Sequence, residues 1–173
     1  MPAARVDVDW SVAEDESMTR IVRRGRVSAQ PESAHAVHVE VNGLSPDRVY
    51  WYRFRAGNDQ STIGRTRTLP RPGTAVDQLR FGFCSCQHYE TGYFTALRHL
   101  AGEDLDLVFH LGDYIYEGPG TDKRPRKHAG AEIMTLADYR TRYAQYHTDP
   151  DLQAAHASFP WIEQAHPLMG DHE

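Results

Sequence analysis

Several things are scarce in this 173-residue chain, and each scarcity excludes something. No apolar run approaches the roughly 18 residues that a membrane-spanning helix needs. There is no excess of basic residues: 24 Asp and Glu outweigh 19 Lys and Arg for a formal charge of −5, so a nucleic-acid footprint is absent. The first ten residues, from Met1 to Trp10, lack the charged start and apolar stretch of an export signal. There are two cysteines, Cys84 and Cys86, and their spacing is too short for an easy bridge within an extended strand. What remains is ordinary globular composition, 40% hydrophobic and 25% charged, enough for one or two small domains.

The first 70 or so residues read as β-structure. Trp10–Ala13, Thr19–Ala29, His35–Val41, Val49–Arg55 and Ile63–Leu69 carry β-branched and aromatic residues between turn signals. Val37, Val39 and Val41 alternate with polar neighbours, which predicts a half-buried strand. Pro46-Asp47 and Ala56-Gly57-Asn58 mark turns. Short strands with no helical pattern between them suggest an antiparallel sandwich, although about seven strands are needed. The shortage points to strand sequence missing ahead of Met1.

Pro70-Arg-Pro-Gly73 is a linker by composition, and beyond it the pattern changes. Leu79–Cys84 predicts a strand, Thr91–Leu100 a helix and Leu105–Leu111 a strand apolar enough to be covered on both faces. Strand, helix and strand in this order form a βαβ unit with parallel strands. Leu136–Tyr146 and Leu152–Ala157 predict two further helices, and Gly118–Gly130 a polar, basic loop.

Three polar clusters punctuate this second region: Ser85-Cys86-Gln87, Gly112-Asp113-Tyr114-Ile115-Tyr116-Glu117 and Gly170-Asp171-His172-Glu173. The first two follow strands, and ligands of open parallel sheets bind at the carboxyl ends of strands. Asp113 could bridge cations, Tyr116 offers a phenolate suited to ferric iron, and Cys86 offers a softer thiolate. Gly112 allows a sharp turn just before Asp113. Taken alone, Asp113 could equally be a cap and Cys86 a small buried residue. Tyr114 reads as packing, His110 as a satisfied core histidine, His88 as either a substrate-facing or a solvated group, and Lys123–His128 as a solvated loop.

Phe81–Gln87, Gly92-Tyr-Phe94 and Asp104–Glu117 resemble the PhoD-like phosphatase family, a branch of the calcineurin-like metallophosphoesterases. Gly43–Pro46, Tyr50–Phe54 and Gly64–Thr68 resemble that family's fibronectin-III-like N-terminal domain, and Thr135–Arg140 and Asp149–His156 resemble its later helices. The resemblance implies an α+β chain: a β-sandwich over residues 1–72, then the N-terminal part of an α/β metallophosphoesterase domain over 79–173. It implies hydrolysis of phosphate mono- or diesters by an exported enzyme using Fe(3+) and Ca(2+). It places metal ligands at Cys86, Asp113, Tyr116 and Asp171, and a catalytic group at His172; further ligands would fall after Glu173. Two departures stand out. The segment after Trp161 is longer than in the family and lacks the first Asp of its Asp-Asp-His-Glu run, and Cys84 replaces an alanine. A catalytically silent fragment, or a sandwich acting as a binding module, is the alternative.

Overall fold

The computed structural model describes residues 4–163. The chain divides into two compact units, Met1–Leu79 with Ala157–Phe159, and Arg80–His156 with Pro160–Glu173.

The first unit is built on an antiparallel sheet. Strands β1 (Val6–Ala13), β2 (Ile21–Ala29), β3 (Val49–Ala56) and the two-residue β4 (Asp59–Gln60) lie in the order β2-β1-β3-β4, and β5 (Gly64–Arg67) also pairs with β3. Side chains alternate across the sheet. The register puts Trp10, Val12, Tyr52 and Phe54 on one face, and Asp9, Ser11, Arg24, Arg26, Arg53 and Arg55 on the other. The apolar face is lined by Val39, Val41 and Leu44, which close a groove of about 240 Å³ with Trp10, Tyr52 and Phe54.

Residues 37–41 keep the expected alternation: Val37, Val39 and Val41 are half-buried while His38 and Glu40 are exposed. They are not a strand among the described residues, however, because no neighbour completes a hydrogen-bonded ladder. The sequence pattern reports burial on one side; ladder formation needs a partner edge as well.

Two glycines are explained by their cross-strand neighbours. Gly25 faces Trp10 and Gly64 faces Tyr52. A Cβ on Gly25 would stand 2.7 Å from the Trp10 ring, and one on Gly64 would stand 2.2 Å from the Tyr52 ring. Each aromatic ring lies flat across the space the glycine leaves, a pairing known to rescue glycine in sheets. The Tyr50 side chain is buried, and its hydroxyl accepts the Ser45 N–H at 2.9 Å.

The second unit begins with the expected βαβ arrangement. β6 (Phe81–Cys84) pairs in parallel with β7 (Leu107–His110), and α1 (Thr95–Leu100) lies between them in sequence. β8 (Trp161–Glu163) adds in parallel on the far side of β7, giving the order β6-β7-β8. Helix α2 (Leu136–Tyr146) starts with a capping box: the Thr135 hydroxyl accepts the Asp138 N–H, and the Asp138 carboxylate accepts the Thr135 N–H at 2.8 Å. Helix α3 (Pro150–Ser158) starts at a proline, with Asp149 Oδ1 accepting the Asp151 and Leu152 N–H groups.

The core of this unit comprises Phe94, Leu97, Tyr114, Ile115, Ile133, Tyr146, Leu152 and Ala155. It covers one face of the sheet only. Phe81, Phe83 and Ile162 are exposed on the other face. On that side the β7 residues Leu107 and Phe109 are half-buried, with the Phe81 ring 5.6 Å from that of Phe109, while Phe83 itself is exposed.

We expect Gly64→Ala to lower stability by about 1–3 kcal/mol through displacement of Tyr52, read as a fall in the urea midpoint. A bare face of large apolar side chains invites association. Phe83→Lys is accordingly expected to raise the soluble fraction of the chain without lowering its urea midpoint.

Candidate functional site

The tips of β6 and β7 stay paired after the strands end. The Leu111 N–H donates to Cys84 O at 2.9 Å, Cys86 N–H to Gly112 O at 3.1 Å and Gln87 N–H to Asp113 O at 3.2 Å. This loop-to-loop ladder brings the first two polar clusters together. Gly112 sits at φ 127°, a conformation that favours glycine. Cys86 and Asp113 both take left-handed backbone conformations, at φ 56° and 54°. Such positions are uncommon for non-glycine residues and gather where function constrains the backbone.

Three side chains meet at one carboxylate oxygen. Asp113 Oδ2 lies 3.6 Å from Cys86 Sγ and 3.1 Å from the Tyr116 hydroxyl. Burial, then the neighbouring Asp113 carboxylate, push the Tyr116 phenol above its ordinary value. Cys86 is exposed and Asp113 and Tyr116 are half-buried, so the cluster opens to solvent. A sulfur, a carboxylate and a phenol converging on one point form a donor set of the kind that cations accept. Among the described residues no group of three His, Cys, Asp or Glu could hold a metal; the third donor here is the phenol. Asp171 and His172 lie outside the described residues.

Neighbouring groups explain why the cluster is placed as it is. The His88 ring packs on Tyr116 with centroids 4.3 Å apart, and its Nε2 lies 2.9 Å from Arg124 Nη1. His88 therefore packs against the cluster and is half-buried. Tyr114, fully buried, packs as expected; its hydroxyl lies between His147 Nε2 at 2.9 Å and His156 Nε2 at 2.7 Å. The single hydroxyl proton can go to one ring only, so at least one of these histidines must present an N–H. His110 is buried, with Nδ1 accepting the Gly112 N–H at 3.3 Å, while its Nε2 has no partner among the described residues. It is a core histidine, but only half satisfied. Cys84 is half-buried, and burial raises its thiol to about 11; it takes no part in the cluster.

Three residues of this surround escape the sequence pattern. The Arg142 side chain is buried, and it donates to Tyr116 O, Gly118 O and Ala131 O. It clasps the chain on the far side of Tyr116 and fixes where the phenol stands. The loop 123–128 is not simply solvated. Arg126 is 9% exposed, pairs with Asp149 at 2.5 Å and lies over the Tyr89 ring at 3.9 Å. His128 is buried too, with Tyr146 beside its Nε2 and Gly118 O beside its Nδ1. Two Arg or His residues spaced between Lys and Pro read as solvated charge; only the tertiary positions of Asp149, Tyr89 and Tyr146 reveal otherwise.

A parallel α/β sheet with polar donors on adjoining strand tips defines the general class of α/β enzymes that place their sites at carboxyl ends. The comparisons sharpen the class. The PhoD-like phosphatase family matches residues 81–173, and the PhoD-like phosphatase N-terminal domain matches residues 1–70. The chain belongs to the PhoD-like phosphatase family. It is 55% identical over 167 residues to the alkaline phosphatase D of Bacillus subtilis (strain 168), covering 94% of this chain and 29% of that protein. A solved structure described as the structure of PhoD matches with a TM-score of 0.89 and 53% identity, over 95% of this chain and 32% of the other. The chain thus spans under a third of the length of these relatives. No helix among the described residues is long and apolar enough to cross a membrane.

Burial, together with the nearby His147 and His110, lowers His156 to about 3, and burial and Arg142 lower His128 to about 4. Unfolded histidines take up protons near 6.5. Their contribution to stability is therefore complete above about pH 6.5 and is lost as pH falls towards 4. The thermal midpoint is expected to drop between about pH 7 and about pH 5, and His156→Gln to flatten that drop; a parallel pH profile in the variant would contradict the assignment.

Proposed function

We propose that this chain carries the N-terminal part of a metal-dependent phosphoesterase site, with Cys86, Asp113 and Tyr116 as ligands for Fe(3+), and with Asp171 and His172 joining from the following segment. The observation that carries the reading is the meeting of Cys86 Sγ and the Tyr116 hydroxyl at one oxygen of Asp113. The reaction is hydrolysis of a phosphate mono- or diester, and calcium completes the metal set by family likeness. When bound, such cations supply Lewis-acid polarisation of the phosphoryl group and a more acidic water.

The chain's own groups do the rest. The Cys86 thiol and Tyr116 phenol both point their protons at Asp113 Oδ2, and both must be released for the sulfur and oxygen to act as anionic donors. A cation would oppose the upward push on the Tyr116 phenol, which arises from burial and the Asp113 charge. Arg142 holds the backbone behind Tyr116. The His88 ring flanks the phenol and Arg124 reaches His88, so a guanidinium stands within one side chain of the cluster, where an anionic ester would approach.

For the first unit we propose the sandwich of the family, with residues 1–72 as one domain and 79–173 as the second. The Tyr50 hydroxyl accepts an N–H five residues upstream, as in the tyrosine corner of such sandwiches. The lone alternating segment 37–41 supports a second layer.

A second reading has its own support. The described residues supply three donors and no cluster of three His, Cys, Asp or Glu, and the chain corresponds to 29% of its phosphatase relative. Such a chain would keep the ancestry and be catalytically silent.

Ferric loading separates these readings. A ferric phenolate absorbs visible light, so the loaded chain is expected to be coloured, and Tyr116→Phe to lose the band while its far-ultraviolet dichroism is unchanged. A band of undiminished strength in the Phe variant would remove Tyr116 from the ligand set. Absence of aryl phosphate hydrolysis by a coloured chain would favour the silent fragment.

A further inference from the structure

The polar face of the first sheet concentrates positive charge in a chain whose formal net charge is −5. Two neighbouring rows of the sheet face produce it. In one row Asp9 of β1 is flanked by Arg26 of β2 and Arg55 of β3; in the next row Ser11 is flanked by Arg24 and Arg53. All six residues line one basin of about 640 Å³, joined by Gln60 of β4. Strand spacing puts the two arginines of a row roughly 10 Å apart at their Cα atoms, and the rows roughly 7 Å apart. These spans are within reach of converging arginine side chains.

The rows differ in how their charge is answered. Asp9 accepts from Arg26 at 2.7 Å and lies 3.5 Å from Arg55, and the Arg26 hydrogen bond holds its carboxyl below the ordinary range. Arg24 and Arg53 have no carboxylate partner among the described residues, and the Ser11 hydroxyl makes no hydrogen bond there. Two guanidinium groups without a carboxylate partner and a hydroxyl donor thus line the same basin from neighbouring strands, with a net excess of three positive charges over the basin. Neighbouring like charges on a sheet face are destabilising, and this arrangement is relieved by an anion.

The geometry points to a phosphate group seated over Ser11 between Arg24 and Arg53, at a site separate from the Cys86–Asp113–Tyr116 cluster. A carboxylate is planar and presents two oxygens, which one guanidinium fork already engages. A tetrahedral phosphate presents oxygens in several directions, so it can accept from two forks and a hydroxyl at once. Arg26 and Arg55 in the adjoining row would meet a second phosphate of a larger ligand.

The test is calorimetric titration of the metal-free chain, in the presence of EDTA and at low salt, with inorganic phosphate and with tripolyphosphate. Both are expected to bind, and added salt to weaken both. Arg24→Gln with Arg53→Gln removes the charge-assisted hydrogen bonds and should weaken binding by at least about tenfold. These side chains are exposed or half-buried, and an unchanged thermal midpoint verifies that the variant folds. Ser11→Ala should give a smaller loss. Equal affinity for the two probes identifies free phosphate as the natural source, and tighter tripolyphosphate binding identifies a multiply phosphorylated ligand. Undiminished binding by the double variant, or no binding by the parent chain, overturns the proposal. So does a tetraglutamate peptide that binds as tightly as tripolyphosphate, since the face would then be a seat for acidic protein segments.

Discussion

The second unit depends on a constraint of backbone pairing: the hydrogen bonds between β6 and β7 continue past the ends of the strands into the two tip loops. A parallel ladder fixes the relative height of its strands. Once Cys84 is level with His110, the residues just beyond must run side by side. Cys86 and Asp113 then need only turn towards each other. They do so by adopting left-handed conformations, a backbone region that is costly for a residue with a Cβ. Glycine is present at 112, where φ is 127°, but it cannot supply a thiol or a carboxylate. The strain falls on the two residues whose side chains form the cluster.

That cluster is held from behind by an unusual amount of buried polarity. Arg142, His128, Glu90 and Gln87 are all buried, and most of their bonds go to backbone groups of the chain around the site. Glu90 accepts from the N–H groups of Thr121 and His128, each at 2.9 Å; Gln87 donates to Tyr114 O at 3.1 Å. Side chain to backbone bonds of this kind position a loop without requiring regular structure. They account for how residues 114–131, which contain no helix or strand, can carry Tyr116 at a defined place. Breaking one leaves a buried charge or dipole unanswered, which costs more than the bond itself is worth.

How much of this was legible beforehand follows the range of the interactions. Periodicity found β1, β2, β3, β5 and the βαβ unit because burial of alternate or every third and fourth residue is written locally. The tip positions of Cys86 and Asp113 were legible because they sit next to those strands. The pairing of 37–41 was not, since alternation reports one buried side and says nothing of a neighbour's edge. Arg142, Arg126 and His128 were hidden for a related reason. Polar residues read as exposed unless their partners are known, and these partners lie far along the chain: His128 and Tyr116 are 14 and 26 residues from Arg142, and Tyr89 is 37 from Arg126.

The two units use arginine in opposite ways, and the difference bears on function. In the second unit the buried guanidinium groups are answered: Arg126 by Asp149, and Arg142 by backbone carbonyls. They are parts of the scaffold, and burial demands partners for most of their N–H groups, although Arg126 Nη2 and Arg142 Nε have none among the described residues. On the first sheet Arg24 and Arg53 reach solvent, where water can answer them, so nothing in the folding of the sheet requires them to be cations. Threonine or valine would suit a strand better. Residues placed against local preference, with like charges gathered on one face, are where a sequence departs from what its fold alone asks. By that reasoning the polar face of β1, β2 and β3 is a binding surface, while the arginines around Tyr116 are its support.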